Sequence, residues 1–464
     1  MQGQADIGVV GLGVMGRNLA ANIRDRGFAV VGFDADEGQR ARATGEGLAV
    51  AATGEALARA LKPPRAVLLL VPAGAAVDAA IAGLRPLLAP GDILVDGGNS
   101  HYADTIRRAG ELGASGIAYV GLGVSGGEEG ARHGPALMAG GEPAAWARLE
   151  PLLTAIAARF DGRPCCGHVG GAGAGHFVKM AHNGIEYGQM QLIAEAALLL
   201  RHGLGLDPAA AAATVRGWNA GEDASYLLEI TADILATPDP DGGGMLLDRV
   251  ADRTGHKGTG VWTVEAALAL GVPLPTVAAA VWARALSAAR DPGRAEHAWP
   301  APAPAPSGGE ASGADIRRAL AAAALVAYGE GLDLIAAGAA RHGWDTDRAA
   351  VAELWRAGCI IRSAALDRIA AVLRADPGDH SFLDRGWVRG RIAEALPSWR
   401  RLLAAGAARG LPLPAFAAAC QHAAGRSAPE LGARVVAAQR DRFGAHGFAR
   451  IDRAGSFHAA WDGR

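Results

Sequence analysis

Over the first third of the chain, short β-branched runs alternate with amphipathic stretches. Ile7–Val10, Ala29–Phe33, Val67–Val71, Ile93–Val95 and Ile117–Val120 read as strands, and Cys166–Val169 closes the series. Strands separated by helix-length segments predict a parallel sheet with helical crossovers. Beyond Gly170–Gly175 the period changes. Phe177–His202, Val264–Leu270, Val277–Ala289, Asp315–His342 and Ala349–Leu373 carry the 3.6-residue periodicity of helices rich in alanine and leucine. The pattern predicts an α/β unit over residues 1–174, an all-helical unit over 175–433 and a tail over 434–464. The tail is polar and aromatic, without helix-length apolar stripes. WPAPAPAPSGG (Trp299 to Gly309) reads as an exposed extended loop. AEAALLLRHGLG and GLDLIAAGAARHGW share a cadence, from distant duplication of the helical unit or from alanine richness alone.

Composition narrows the function class. The chain has 464 residues, 50% of them hydrophobic, and a formal net charge of −2. With no strongly basic stretch, neither a nucleic acid nor a membrane surface is expected as partner. No uncharged apolar run of spanning length occurs, and the first residues lack a basic-then-apolar leader pattern, so a cytoplasmic setting is expected. Four cysteines without CxxC and 13 histidines without HExxH suggest neither a disulfide framework nor a metal site.

Two motifs change the picture. GLGVMG (Gly11 to Gly16) follows a predicted strand and opens a predicted helix, the setting in which GxGxxG binds a dinucleotide. Gly11 permits the tight turn, Gly13 lets backbone approach the pyrophosphate, and Gly16 packs helix on strand. The next strand ends in Asp34, at the spacing of an acid that binds the ribose hydroxyls. A carboxylate there favours NAD and repels the 2′-phosphate of NADP, although Arg40 and Arg42 lie close enough in sequence to serve NADP.

The second motif is GHFVKMAHNGIEYGQMQL (Gly175 to Leu192). Only three of the 45 lysines and arginines are lysine, and Lys179 sits here. Arginine cannot replace lysine where an amine must lose its proton. On a helix, Lys179, His182, Asn183 and Glu186 fall at i, i+3, i+4 and i+7, one polar stripe on an otherwise apolar surface. A buried lysine there can act as general base and Glu186 as the matching acid. Gly184 in mid-helix implies a close neighbour. DGGNS (Asp96 to Ser100), GVSGGEEGARHGP (Gly123 to Pro135) and GHKGTG (Gly255 to Gly260) read as loops around an oxyanion or polyol.

These blocks, with WRAGCIIRS and RDRFGAH, resemble in order and spacing the decarboxylating 6-phosphogluconate dehydrogenase family over nearly the whole chain. The resemblance implies a Rossmann-type domain, a large all-α domain and a tail threading into the partner of a homodimer. It implies conversion of 6-phospho-D-gluconate and oxidised cofactor to D-ribulose 5-phosphate, CO2 and reduced cofactor, in the pentose phosphate pathway. Lys179 would be the base and Glu186 the acid. The cofactor would lie against Leu12, Val14 and Met15 within the glycine loop, and against Val71, Ala73 and Asn99. Asn99, Ser125, Gly126, Gly127, His182 and Asn183 would bind the sugar acid. Tyr187, Lys257, Thr259 and Arg284 would hold the phosphate, completed by Arg440 and His446 of the second subunit. Two departures stand out. Asp34-Ala35-Asp36 replaces the Asn-Arg-Thr of NADP-using members, and Val261 stands where some members carry a lysine.

Two other readings remain open at this point. A simpler β-hydroxyacid dehydrogenase shares the cofactor loop and helical lysine but does not decarboxylate. A non-catalytic sensor of dinucleotide or sugar phosphate would bind without turnover.

Overall fold

The computed structural model describes residues 4–255, 258–289 and 311–461. Lys257 and the Trp299–Gly309 segment lie outside the described residues.

The N-terminal strands are β1 (Ile7–Val10), β2 (Val30–Phe33), β3 (Ala49–Val50), β4 (Ala66–Leu69), β5 (Ile93–Asp96), β6 (Ala118–Ser125) and β7 (Ala136–Gly140). A small pair, β8 (Arg159–Phe160) and β9 (Arg163–Pro164), precedes β10 (Cys166–His168). Eight of them form one sheet in the order β10-β7-β6-β5-β4-β1-β2-β3. Every neighbouring pair is parallel except β6 with β7. Strands β1, β4 and β5 at the centre are four-residue runs buried on both faces, as helix-covered parallel sheets require. Their covers are α1 (Val14–Asp25), α2 (Glu37–Gly45), α3 (Gly54–Ala60), α4 (Ala75–Leu84), α5 (Tyr102–Gly113), α6 (Gly127–His133) and α7 (Pro143–Ile156).

The rest is helical: α8 (Ala174–Leu198), α9 (Pro208–Trp218), α10 (Tyr226–Ala236), α11 (Thr259–Leu270), α12 (Pro275–Ala289) and α13 (Gly313–His342) come first. There follow α14 (Arg348–Leu354), α15 (Ala365–Ala375), α16 (Gly386–Ala408), α17 (Pro414–Ser427) and α18 (Ala433–Gly444). Helices α8 and α13 form the axis of this unit. Their close approach depends on glycine: a Cβ at Gly331 would lie 2.4 Å from Ile185, and one at Gly338 2.4 Å from Phe177. Helix α13 is long and apolar enough to cross a membrane by length and composition, but 78% of its most apolar window is buried within the protein.

Three departures from the sequence pattern have physical causes. Strand β7 pairs antiparallel with β6, and its fully buried ALMAG has neither alternation nor a β-branched residue to mark it. The Ala349–Leu373 periodicity is split between α14 and α15, because Gly358 adopts φ +69° and its carbonyl accepts the Ala136 N–H at 2.8 Å. A sheet contact outweighs local helix preference there. The tail is ordered, with α18 followed by a hairpin of β11 (Phe448–Ala449) and β12 (Ser456–Phe457). Its apolar residues form no buried stripe: Val435, Val436 and Phe443 are exposed, Phe443 by 74%, while Phe448 packs on Trp461 at 5.4 Å.

Candidate active site

Helix α8 meets the sheet along a seam of glycines. A Cβ at Gly175 would lie 2.2 Å from the Gly121 carbonyl oxygen, and one at Gly123 2.7 Å from Cβ of Lys179. With no side chains between them, the first turns of α8 press on β6 and β7. That contact carries Lys179 to the end of β6, where Ser125 sits.

Lys179 is 7% exposed and its Nζ donates to Asn183 Oδ1 at 2.7 Å and Ser125 Oγ at 3.1 Å. His182 places Nδ1 at 3.1 Å from Asn183 Oδ1 and Nε2 at 3.3 Å from Ser125 Oγ. The tautomer that satisfies these groups has Nδ1–H donating to Asn183 while Nε2 accepts the Ser125 hydroxyl. A neutral amine then uses both protons on Ser125 and Asn183, and its lone pair remains for a ligand. Burial pushes the Lys179 amine below the usual lysine range, the nearby Glu186 and Cys359 opposing. Burial also holds His182 neutral, well below the histidine range, and the Lys179 charge adds to this. Glu186 follows one turn on, with Oε2 3.9 Å from His182 Nδ1. Burial raises its carboxyl above the usual glutamate range, against Lys179 and Arg284. An amine shifted toward losing its proton and a carboxyl shifted toward keeping one share one helix face, the arrangement general acid–base work needs.

The neighbour implied by Gly184 is α11. A Cβ at Gly184 would meet Thr263 Cγ2 at 2.5 Å, and Thr263 Oγ1 donates to the carbonyls of Met180 and Thr259 at 2.9 and 2.8 Å. Gly260 is likewise filled by the Tyr187 ring, 2.5 Å from where its Cβ would be. The guanidinium of Arg284, on α12, stacks 3.5 Å from the centre of that ring. Thr259, Tyr187 and Arg284 are thereby gathered beside Glu186.

On the other side of β6, Gly11 adopts φ +94°, and a Cβ there would lie 2.5 Å from the Leu70 carbonyl oxygen. Gly16 is closed against Gly11 in the same way, at 1.8 Å, whereas nothing lies within 4 Å of the Cβ position at Gly13. The open side of the loop is thus the side that faces the free N–H groups starting α1, which suits a pyrophosphate. Leu12 and Met15 pack inward and Val14 is exposed at the loop. Asp34 Oδ2 accepts the Leu12 N–H at 2.7 Å and Oδ1 the Asp36 N–H at 2.9 Å. Arg40 is committed to the carbonyls of Asp34 and Ala35, at 2.8 and 3.0 Å, and Arg42 is exposed on α2. Val71 and Ala73 follow β4, and the exposed Asn99 follows β5, both strands ending on the edge where β1 opens into the glycine loop.

Residues 6–170 match the NAD binding domain of 6-phosphogluconate dehydrogenase, and residues 175–461 match the 6-phosphogluconate dehydrogenase C-terminal domain. The chain belongs to the 6-phosphogluconate dehydrogenase family. Relatives named "6-phosphogluconate dehydrogenase, decarboxylating" include one from Treponema pallidum, 44% identical over 99% of this chain and 97% of its own length. One from Haemophilus influenzae is 43% identical over 100% of this chain and 98% of its own. The solved 6-phosphogluconate dehydrogenase of Plasmodium falciparum, described in apo form, with its cofactor NADP+ and with its substrate 6-phosphogluconate, superposes with a TM-score of 0.93. It is 36% identical, and the match covers 98% of this chain and 100% of that one.

Not every expected residue joins the cluster. Ser125, His182 and Asn183 meet around Lys179, Gly126 and Gly127 follow Ser125 in the chain, and Gly126 (φ +109°) is closed against the Gly358 carbonyl, 2.6 Å from its Cβ position. Arg440 and His446 are exposed on α18 and the turn after it, with no hydrogen bond to that cluster within the chain. Among described residues no group of three His, Cys, Asp or Glu side chains could hold a metal.

Several contributors carry no local motif. Asp96, fully buried, takes Ser100 Oγ at 2.6 Å, the Tyr119 hydroxyl at 2.9 Å and the Gly98 N–H at 3.1 Å, shaping the loop that bears Asn99. His176 Nε2 lies 3.1 Å from the Asp96 carbonyl oxygen and ties that loop to α8 one turn before Lys179. Trp355 meets the His182 ring edge-on at 5.7 Å, and Cys359 backs the amine, its thiol pushed up to about 12 by burial. The family block WRAGCIIRS was the available signal for the last two.

Proposed function

We propose that this protein oxidatively decarboxylates 6-phospho-D-gluconate to D-ribulose 5-phosphate and CO2. The observation that carries the reading is the buried amine of Lys179, held by Ser125 and Asn183 with its lone pair free and Glu186 beside it. Lys179 takes the proton of the C3 hydroxyl as that carbon is oxidised. Gly11–Gly16, Asp34, Val71, Ala73 and Asn99 would hold the dinucleotide, which would supply the hydride acceptor for C3. The product is a β-keto acid. The Lys179 ammonium polarises its carbonyl, so the C1 carboxylate leaves as CO2 and no metal is needed for that step. Glu186 then protonates the enediol carbon that becomes C1 of the pentulose. Asn99, Ser125, Gly126, Gly127, His182 and Asn183 orient the sugar acid. Tyr187, Lys257, Thr259 and Arg284 bind the phosphate.

NAD is the preferred cofactor in this reading. Asp34 presents a carboxylate where a 2′-phosphate would have to sit, and Arg40 is spent on backbone carbonyls. The Plasmodium enzyme is described with NADP+, and in this reading the difference rests on the Asp34-Ala35-Asp36 loop of this chain. In this reading the domains are 1–174, 175–433 and 434–464, with divisions next to the first residues of α8 (Ala174) and α18 (Ala433). The working unit is a homodimer in which each tail lends Arg440 and His446 to the other subunit's phosphate pocket. The exposed apolar face of α18 supports this. The four buried, unpaired cysteines fit the reducing cytoplasm.

Steady-state reduction of NAD and of NADP by 6-phosphogluconate, with CO2 measured, tests the reading. One CO2 per reduced cofactor and a higher kcat/KM with NAD are expected. Oxidation without CO2 would return the simpler dehydrogenase, and preference for NADP would overturn the role of Asp34.

A further inference from the structure

The tail motif RDRFGAH holds a carboxylate between two arginines, yet Asp441 pairs with neither. Its side chain is 2% exposed. Oδ1 accepts the Gly447 N–H at 3.0 Å and His458 Nδ1 at 2.7 Å. Oδ2 accepts the Ala459 N–H at 3.1 Å and the Trp461 Nε1–H at 2.8 Å. A carboxylate has about four lone-pair sites, and here all are taken. The donors come from the turn after α18 and from the chain beyond β12, so one side chain gathers both ends of the hairpin. The Ala445 N–H also donates to the Asp441 carbonyl at 2.8 Å, and Ala445 (φ +47°) and Gly447 (φ +74°) make the turn that holds His446 between them. Arg440 and Arg442 stay exposed, and neither makes an ion pair among the described residues.

We propose that Asp441 is a positioning residue for substrate phosphate: it fixes the turn bearing His446 and, by filling its own acceptor sites, leaves the adjacent Arg440 guanidinium unpaired. The proposal rests on the reading that Arg440 and His446 complete the phosphate pocket of a second copy. A carboxylate free to turn would instead neutralise Arg440, and a guanidinium already paired is a poor partner for a phosphate dianion. Four donors drawn from across the tail prevent that.

The test is steady-state kinetics of full-length Asp441→Asn. The amide turns an N–H2 toward two of the donors and breaks the hub. KM for 6-phosphogluconate should rise roughly tenfold to a hundredfold, as for a displaced binding group. The kcat should change much less, and dinucleotide Kd should stay the same. A mixed dimer of Asp441→Asn with Lys179→Arg subunits should recover a near-normal KM, because the intact amine then receives an intact tail. If Asp441→Asn fails to assemble, Trp461→Phe removes a single donor and should raise KM in the same direction by a smaller factor. An unchanged KM in these variants, with Arg440→Ala raising it, would overturn the role of Asp441 and leave the phosphate reading standing. An unchanged KM in Arg440→Ala would overturn both.

Discussion

At Lys179 the decisive event is loss of solvent. An amine in water keeps its proton at neutral pH, but this one is enclosed between α8 and β6 and donates only to neutral oxygens. Arginine in its place would keep a cation and lose the removable proton. Lys179→Arg is therefore expected to lower kcat by about 10²–10⁴ with 6-phosphogluconate, the usual worth of an acid–base group. A kcat near that of the wild type would remove Lys179 from the chemistry. Much of this site could be read from sequence, because the stripe of Lys179, His182, Asn183 and Glu186 is local to one helix. Gly184 announced a close neighbour, and Thr263 is that neighbour. Asp96, His176 and Trp355 could not be read in the same way. Their roles come from partners such as Tyr119, the Asp96 carbonyl and His182, which no periodicity relates to them.

Among elements, α8 does two jobs. Its first turns lie on the sheet through glycine, and its last turns cap another helix. The fully buried Glu195 accepts the N–H groups of Ala415 and Phe416 at 2.9 Å each, at the start of α17. Burial raises its carboxyl to about 7, the hydrogen bonds from Phe416, Ala415 and Gln191 opposing. The folded state thus holds a proton that the unfolded chain, near 4.5, releases. Between those values each rise in pH favours the unfolded chain. Glu195→Gln removes this slope. Its melting temperature relative to the wild type should improve from pH 5 to pH 8, by a difference of about 3 kcal/mol in stability. A difference independent of pH would show that Glu195 is ionised throughout. Helices were legible by an apolar face, and β1, β4 and β5 by their β-branched residues. Strand β7 and the α14–α15 break were not, since ALMAG has no β-branched residue and the Gly358 contact with Ala136 is a matter of tertiary fit.

At the scale of the molecule, the tail differs from the rest. It is folded around Asp441, but Val435, Val436 and Phe443 of α18 are left exposed. Deleting residues from Arg434 onward should raise KM for 6-phosphogluconate and leave melting of the helical unit nearly unchanged, because α8 and α13 lose nothing by it. An unchanged KM would separate the tail from the site. Sequence motifs showed that a tail exists, but its fold depends on four donors, from Gly447 to Trp461, meeting at one carboxylate.

The strand order has a consequence of its own. Asp34 ends β2 and Lys179 rests on β6, with β1, β4 and β5 between them, a span of about 19 Å at the usual strand spacing. Side chains that far apart, without shared partners, act independently. On the proposed role of Asp34, a lineage could exchange one dinucleotide for the other by altering a surface loop, while the machinery that breaks the carbon–carbon bond is inherited untouched.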